Sequence, residues 1–245
     1  MKPILFNTDM VKAIMEGRKT VTRRLVKAKY RPEEMAWIVV TEAHSGKFVR
    51  CEYLDEYERE TRDMPQPFYT GDTLYVRETW AEMPYGYVYR ADDGEPEGWD
   101  NTDHWRPSIH MPKAAARIFL RVTDVRVEPL QDISAQGAQR EGIAHVFDHL
   151  SEDEYQKLRD ATGTNKRRED WPWNNYLWHG DVGSGGTGNR KTDAWPYQYA
   201  GYDDPIGSFS SLWNLLTPLK DWGTCGWDAN PWVWVIEFER CERVV

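Results

Sequence analysis

The chain has 245 residues, 40% of them hydrophobic, with 13 tryptophans and a formal net charge of −9. That length suffices for one large domain or two small ones with a real core. No stretch approaches the roughly 20 apolar residues of a membrane span, and the acidity argues against a long footprint on a nucleic-acid backbone, which calls for a basic surface. Cys51, Cys225 and Cys241 are isolated thiols without Cys-x-x-Cys spacing. They predict neither a disulfide framework nor a zinc site, and they fit a reducing cytoplasm.

The opening Met1-Lys2-Pro3-Ile4-Leu5-Phe6-Asn7 has no long apolar run, so no secretory leader is expected. Asn7-Thr8-Asp9 supplies N-cap chemistry, Met10, Val11, Ile14 and Met15 recur at helical spacing, and Gly17 is a stop. A short helix over 8–16 follows. Val21 to Leu25 reads as extended. Residues 37–41 and 47–53 read as strands from their β-branched and aromatic content. A Gly71-Asp72 turn precedes a strand from Thr73 to Trp80, with Leu74, Val76, Glu78 and Trp80 on one face. Residues 87–90 and 115–127 are further strands, the second bent near Thr123-Asp124. Asp132-Ile133-Ser134 caps a helix running to about Glu141, which Gly142 ends.

From Ala144 to about Pro205 the pattern degrades. Ser151 to Glu154 reads as a helix start with Tyr155 and Leu158 as its apolar stripe. Residues 166–170 are a charge run, and the glycine-rich stretch 183–188 is expected to be flexible. The segment 144–205 is therefore expected to be an insertion within a single domain. Phe209, Leu212, Trp213 and Leu216 mark one more amphipathic helix, and 232–239 the last strand. Many short strands with a few helices predict an α+β chain, a closed barrel with one interrupted connection.

Four segments carry the candidate chemistry. Gly17-Arg18-Lys19-Thr20-Val21-Thr22-Arg23-Arg24 sets an ammonium, hydroxyls and guanidiniums at a helix-to-strand corner; the alternative is a solvated basic turn at a helix C-terminus. Glu78 shares a face with apolar neighbours, so it needs either a ligand or an arginine partner. The loop from Trp105 to Pro112 is held extended by two prolines and offers Ser108 and His110, which could equally be solvated. Glu141 is a carboxylate at the wrong end of a helix dipole, pointing to a function, a nearby cation, or simple exposure.

Together these four segments resemble the ASCH family of PUA-like barrels. The Gly-Arg-Lys-Thr-Val-Thr-Arg run after an N-terminal helix matches the family's leading signature. The Gly71-Asp72 turn, the helix ending in Glu141-Gly142 and the C-terminal strand from Trp232 to Phe238 match the rest. The resemblance covers about residues 1–143 and 206–240. The Pro107 to Pro112 loop and the segment 227–232 look most like the longer ASCH proteins of bacteriophages and prophages.

Small bacterial members include amidohydrolases that deacylate N4-acetylcytidine, and other relatives are regarded as RNA-binding modules or ribonucleases. The resemblance implies a cytoplasmic hydrolase of N4-acylated cytosine nucleosides that uses no metal or other cofactor. Lys19, Thr22 and Glu141 would be catalytic, while Arg23, Glu78, Trp80, Ser108 and His110 would bind the substrate. The partner is a small nucleoside or single nucleobase, possibly within RNA, and no membrane is involved. Thr22 could attack the acyl carbonyl, or Glu141 could activate a water. The alternative is a non-catalytic reader of RNA or of a modified base, or a ribonuclease.

Overall fold

The computed structural model describes residues 1–26, 39–42, 49–54, 59–63, 66–92, 94–100, 103–148, 150–176 and 201–243. The glycine-rich stretch 183–188, expected to be flexible, lies outside the described residues. The chain is α+β and folds as two compact units. The first comprises Met1–Glu128 with Trp232–Val245, and the second Pro129–Pro231. The segment 144–205, expected as an insertion, falls within the second unit together with the helices that flank it. Among the described residues, no helix is long and apolar enough to cross a membrane.

The first unit is built on a mixed five-stranded sheet in the order β1-β6-β9-β10-β2. These strands are β1 (Lys2–Leu5), β2 (Val21–Leu25), β6 (Thr73–Arg77), β9 (Phe119–Pro129) and β10 (Trp232–Cys241). β1 runs parallel to β6, Ile4 opposite Val76; β6 and β9 are antiparallel, Leu74 opposite Leu120; β10 and β2 are antiparallel, Ile236 opposite Thr22. A separate antiparallel sheet joins β3 (Val39–Glu42), β4 (Val49–Leu54) and β5 (Arg59–Asp63), and β7 (Trp80–Met83) forms a hairpin with β8 (Gly86–Tyr89).

β10 is buried on both faces: Val233, Trp234, Val235, Ile236 and Phe238 are all in the core. That explains its near-continuous apolar run, which a strand with one wet face would not tolerate. Helix α1 (Thr8–Met15) buries Met10, Val11, Ala13 and Ile14. It starts where the Asn7 side chain accepts from the Met10 N–H at 2.9 Å, the expected cap.

β1 and β2 are the outermost strands in the sheet order, yet the Arg24 guanidinium of β2 donates to the Leu5 carbonyl of β1 at 2.7 Å. The Phe6 ring lies under Arg24 at 5.4 Å and packs against Phe238 at 6.1 Å. The sheet therefore curls until one side chain spans its two edges.

The expected strand from Thr73 to Trp80 is interrupted after Arg77. Its burial alternation nevertheless continues, and Leu74, Val76, Glu78 and Trp80 are all buried. β1, β5 and β7 carry no clean alternation that sets them apart as strands. Arg59-Glu60-Thr61-Arg62-Asp63 in particular is charged at four of its five positions and pairs with β4 through its backbone register.

The second unit holds α2 (Ala135–Arg140), α3 (Glu152–Thr162), α4 (Pro205–Leu216) and α5 (Trp222–Cys225). Its two ends are clasped, with the Leu130 N–H donating to the Pro231 carbonyl at 2.9 Å and the Gln131 N–H to Asn230 Oδ1 at 2.8 Å. α3 begins with the expected capping box, Ser151 and Glu154 bonding reciprocally, and ends at Gly163 in the left-handed region. Tyr155 and Leu158 bury against Val146 and Phe147, as their spacing predicts.

Arg168 ties this small core together. Its guanidinium donates to the carbonyls of Phe147, Leu150 and Ser151 at 2.8, 2.8 and 3.1 Å, and stacks on Tyr155 at 4.4 Å. Lysine cannot reproduce a planar fork serving three acceptors.

Two expectations follow. Arg168→Lys should lose about 1–3 kcal/mol of local stability, read as faster amide exchange in α3 with little change in β10; unchanged exchange in α3 would contradict this. The second concerns Asp72, which accepts from Lys2 Nζ and the Tyr69 N–H, each at 2.9 Å. Burial works to raise its carboxyl, but the Lys2 bond and the Tyr69 N–H prevail and hold it below 3.8. A carboxyl depressed on folding contributes stability above its unfolded value, which is lost as pH falls through the folded one. The pair is partly exposed, so Asp72→Asn should cost under about 1 kcal/mol at pH 7. The difference from wild type should vanish in acid, well below 3.8, in denaturant titrations at the two pH values.

Candidate functional site

The corner between α1 and β2 is set by Gly17, whose φ of +79° is reached without the strain a side chain would add. The helix closes with the Gly17 N–H on the Ile14 carbonyl at 3.1 Å, and the chain doubles back so that the Lys19 N–H donates to Ala13 O at 3.0 Å. This reversal turns Lys19 inward. Its residue exposure is 3%, its ammonium sits 5.5 Å over the Phe6 ring, and Thr22, opposite Ile236, is also 3% exposed. A solvated basic turn would leave both in water, so that alternative does not describe the corner. An amine and a hydroxyl three residues apart are instead held in the interior, where each needs a partner.

Arg23 is buried by a different route. Its Nη2 donates to Glu128 Oε1 at 2.8 Å, with the side chain 2% exposed. Glu128 also accepts from Arg126 Nε at 3.2 Å, and Arg126 Nη1 reaches Glu237 at 2.7 Å and Asp124 at 3.0 Å. Burial alone would lower Arg126, but Glu237 and Asp124 raise it. The expected substrate contact of Arg23 is thus occupied by a lattice of ions across β2, β9 and β10. Sequence reasoning passed over Glu128, which lies 105 positions away.

Glu78 is the most deeply buried of the candidates, and it has an arginine partner. Arg117 forks onto it, Nε to Oε1 and Nη2 to Oε2, both at 3.0 Å. The same guanidinium holds both oxygens of Asp92 at 2.7 and 3.0 Å and lies 3.8 Å over the Tyr89 ring. Burial pushes the Glu78 carboxyl up, and Arg117 pulls against it. Burial likewise works to lower Arg117, but the two carboxylates raise it. Arg117 Nη2 also stands 4.0 Å from Met15 Sδ at the end of α1, which brings the cluster to the helix that leads into Lys19.

Trp80 starts the next strand, 3% exposed, with Arg106 over its ring at 5.0 Å and the Tyr87 edge against it at 5.6 Å. Its indole N–H is buried with no acceptor among the described residues. Ser108 and His110 belong to a 3-10 turn with no buried residue, and His110 is exposed. The loop is anchored instead by Met111, fully buried, whose sulfur accepts from the Glu78 N–H at 3.2 Å and whose carbonyl accepts from Arg77 Nε at 2.8 Å. An unbranched thioether filling the gap behind a buried carboxylate leaves no local sequence signal.

In the second unit Glu141 is the C-cap of α2, its N–H bonded back to Gly137 and Ala138 carbonyls, with Gly142 at φ +85° ending the helix. It is 3% exposed, so the simple surface reading fails here as well. The helix C-terminus does not favour the carboxylate; interactions beyond the dipole must hold it. Among the described residues no three His, Cys, Asp or Glu side chains gather as metal ligands would.

Comparison with protein-family models, with curated proteins and with solved structures finds no match to this chain.

The Glu78–Arg117 geometry gives a direct test. Removing one partner of a buried pair strands the other charge, at about 3–5 kcal/mol; Arg117 keeps Asp92 and some exposure, so Glu78→Ala should fall at the lower end. Replacing both Glu78 and Arg117 with methionine should cost less than either single change. Equilibrium unfolding of the four proteins measures the cycle, and additive losses would show that the fork contributes nothing beyond its members.

Proposed function

We propose that this chain is an ASCH-type, PUA-like barrel protein of the cytoplasm. It hydrolyses the amide of an N4-acylated cytosine nucleoside, free or within RNA, with Lys19, Thr22 and Glu141 as its working group. The observation that carries the reading is burial. An amine, a hydroxyl and a carboxylate occupy the three positions that the resemblance assigns to catalysis, and each is only 3% exposed. Burying three such groups is costly unless they are engaged. The curl that lets Arg24 reach Leu5 across the sheet edges supports the barrel.

The chemistry balances without a further reactant. Water adds to the acyl carbon, the bond from that carbon to N4 breaks, the nitrogen leaves as the cytosine amine with a proton, and the acyl group departs as a carboxylate. Either Thr22 attacks first and water then releases the ester, or Glu141 removes a proton from water directly. Lys19 polarises the carbonyl or takes the Thr22 proton. The resemblance would also place Trp80, Ser108 and His110 beside the base, while Glu78, whose two oxygens are held by Arg117, braces the segment that leads into Trp80. Arg23, held by Glu128, supports the strand that carries Thr22.

Steady-state hydrolysis of acyl cytidines, followed by ultraviolet spectroscopy, distinguishes the possibilities. With an attacking hydroxyl, Thr22→Ala should lower kcat by at least about a hundredfold with little change in KM, and Thr22→Ser should retain part of the rate. Glu141→Ala should cost about 10²- to 10⁴-fold. Full turnover in both alanine variants would reject the residue assignment. Tight binding of cytidine without product across a panel of acyl groups would replace the hydrolase with a base reader.

A further inference from the structure

We propose that the first unit carries a second ligand site, a cavity of about 320 Å³ lined by Lys12 of α1 and by Arg90, Asp92, Glu95, Trp99 and Trp105 of the segment after β8, that takes a planar heteroaromatic ring bearing a phosphate. That volume is at the small end of ligand pockets and suits one nucleotide unit.

The cavity is built at a pinned place. The segment leaves β8 with the Arg90 N–H on the Thr79 carbonyl at 3.0 Å. It returns where Arg106 and Trp80 exchange backbone bonds of 2.7 and 3.2 Å. Between these anchors the Tyr85 hydroxyl donates to the Glu97 carbonyl at 3.0 Å. Asp92, one wall of the cavity, is fixed by both its oxygens on Arg117.

The lining is specific in kind. Trp99 and Trp105 stack with centroids 4.6 Å apart and planes 27° apart. Both are half-buried, so part of each ring is already out of water and part remains available. Indole surface of this kind is a platform for a base, and base stacking is tolerant of sequence.

The Arg90 guanidinium lies 5.8 Å from the Trp105 ring centre and makes no hydrogen bond or ion pair among the described residues. Its planar donors match a phosphate. Lys12 of α1 adds a second cation to the wall. Of the two carboxylates in the lining, Asp92 is already satisfied, which leaves Glu95 as the group that opposes an anion. A ring on the indoles and an anion on Arg90 and Lys12 together describe a nucleotide better than a nucleoside or bare phosphate. The unit could be free or part of a single strand. The site stands independently of the deacylase reading, whose residues it does not share.

Isothermal titration calorimetry with cytidine 5′-monophosphate, cytidine, inorganic phosphate and a short single-stranded cytidine oligonucleotide tests it, with the fold of each variant checked by circular dichroism. The monophosphate should bind more tightly than cytidine or phosphate alone. Arg90→Gln should weaken it about tenfold and leave cytidine unchanged. Glu95→Gln should tighten the monophosphate. Tighter binding of the oligonucleotide would identify a strand as the source, and equal binding a free nucleotide.

Thr22→Ala should not alter monophosphate binding. If it does, the ligand sits elsewhere and the proposal falls, as it also does if Arg90→Gln and Glu95→Gln leave monophosphate affinity unchanged or if wild type shows no saturable binding. A wild type that binds the monophosphate but deacylates no acyl cytidine would overturn the hydrolase reading alone.

Discussion

Strand β10 is the constraint on which the first unit rests. It takes β9 on one side and β2 on the other, and its side chains from Val233 to Ile236 are buried on both faces. A strand so placed cannot slip by one residue, because a slip exchanges every side chain between faces. The register that sets Ile236 opposite Thr22 and Val235 opposite Arg23 therefore fixes the candidate residues of β2 in space. Gly17 then determines that the chain enters β2 from a tight reversal, with Lys19 turned inward.

Charge in this unit is organised in closed groups. Arg23, Glu128, Arg126 and Glu237 form one, and Glu78, Arg117 and Asp92 another. In each, buried members lean on a partly exposed member that keeps contact with water, which limits the desolvation penalty of a wholly buried ion pair. Such groups hold strands far apart in sequence at a fixed spacing. They also explain why Arg23 and Glu78, both suited to substrate contact by their chemistry, are engaged with protein partners.

What the sequence made legible was local. The Asn7 cap, the Ser151–Glu154 capping box, the stripe of Tyr155 and Leu158, and the apolar run of β10 each declare an element within a few residues, and each element is there. The alternation through Leu74, Val76, Glu78 and Trp80 gave the buried face correctly even where the strand itself stops. What could not be read was pairing at a distance. Glu128 lies 105 residues from Arg23, and Arg117 lies 39 from Glu78. β5, charged at four of its five positions, takes its place through backbone bonds to β4, for which composition gives no sign. The stacking of Trp99 on Trp105 was likewise hidden, because aromatic residues in a loop do not announce what they face.

In the proposed reaction the buried amine at the α1–β2 corner serves the hydrolysis of an acylated cytosine. The most direct measurement is ultraviolet-monitored conversion of N4-acetylcytidine to cytidine by the wild-type protein and by Lys19→Ala, with folding of the variant verified by its unfolding transition. The wild type should turn the nucleoside over, and the folded variant should do so at least about a hundredfold more slowly. An inert wild type, or a Lys19→Ala protein as active as its parent, would contradict it.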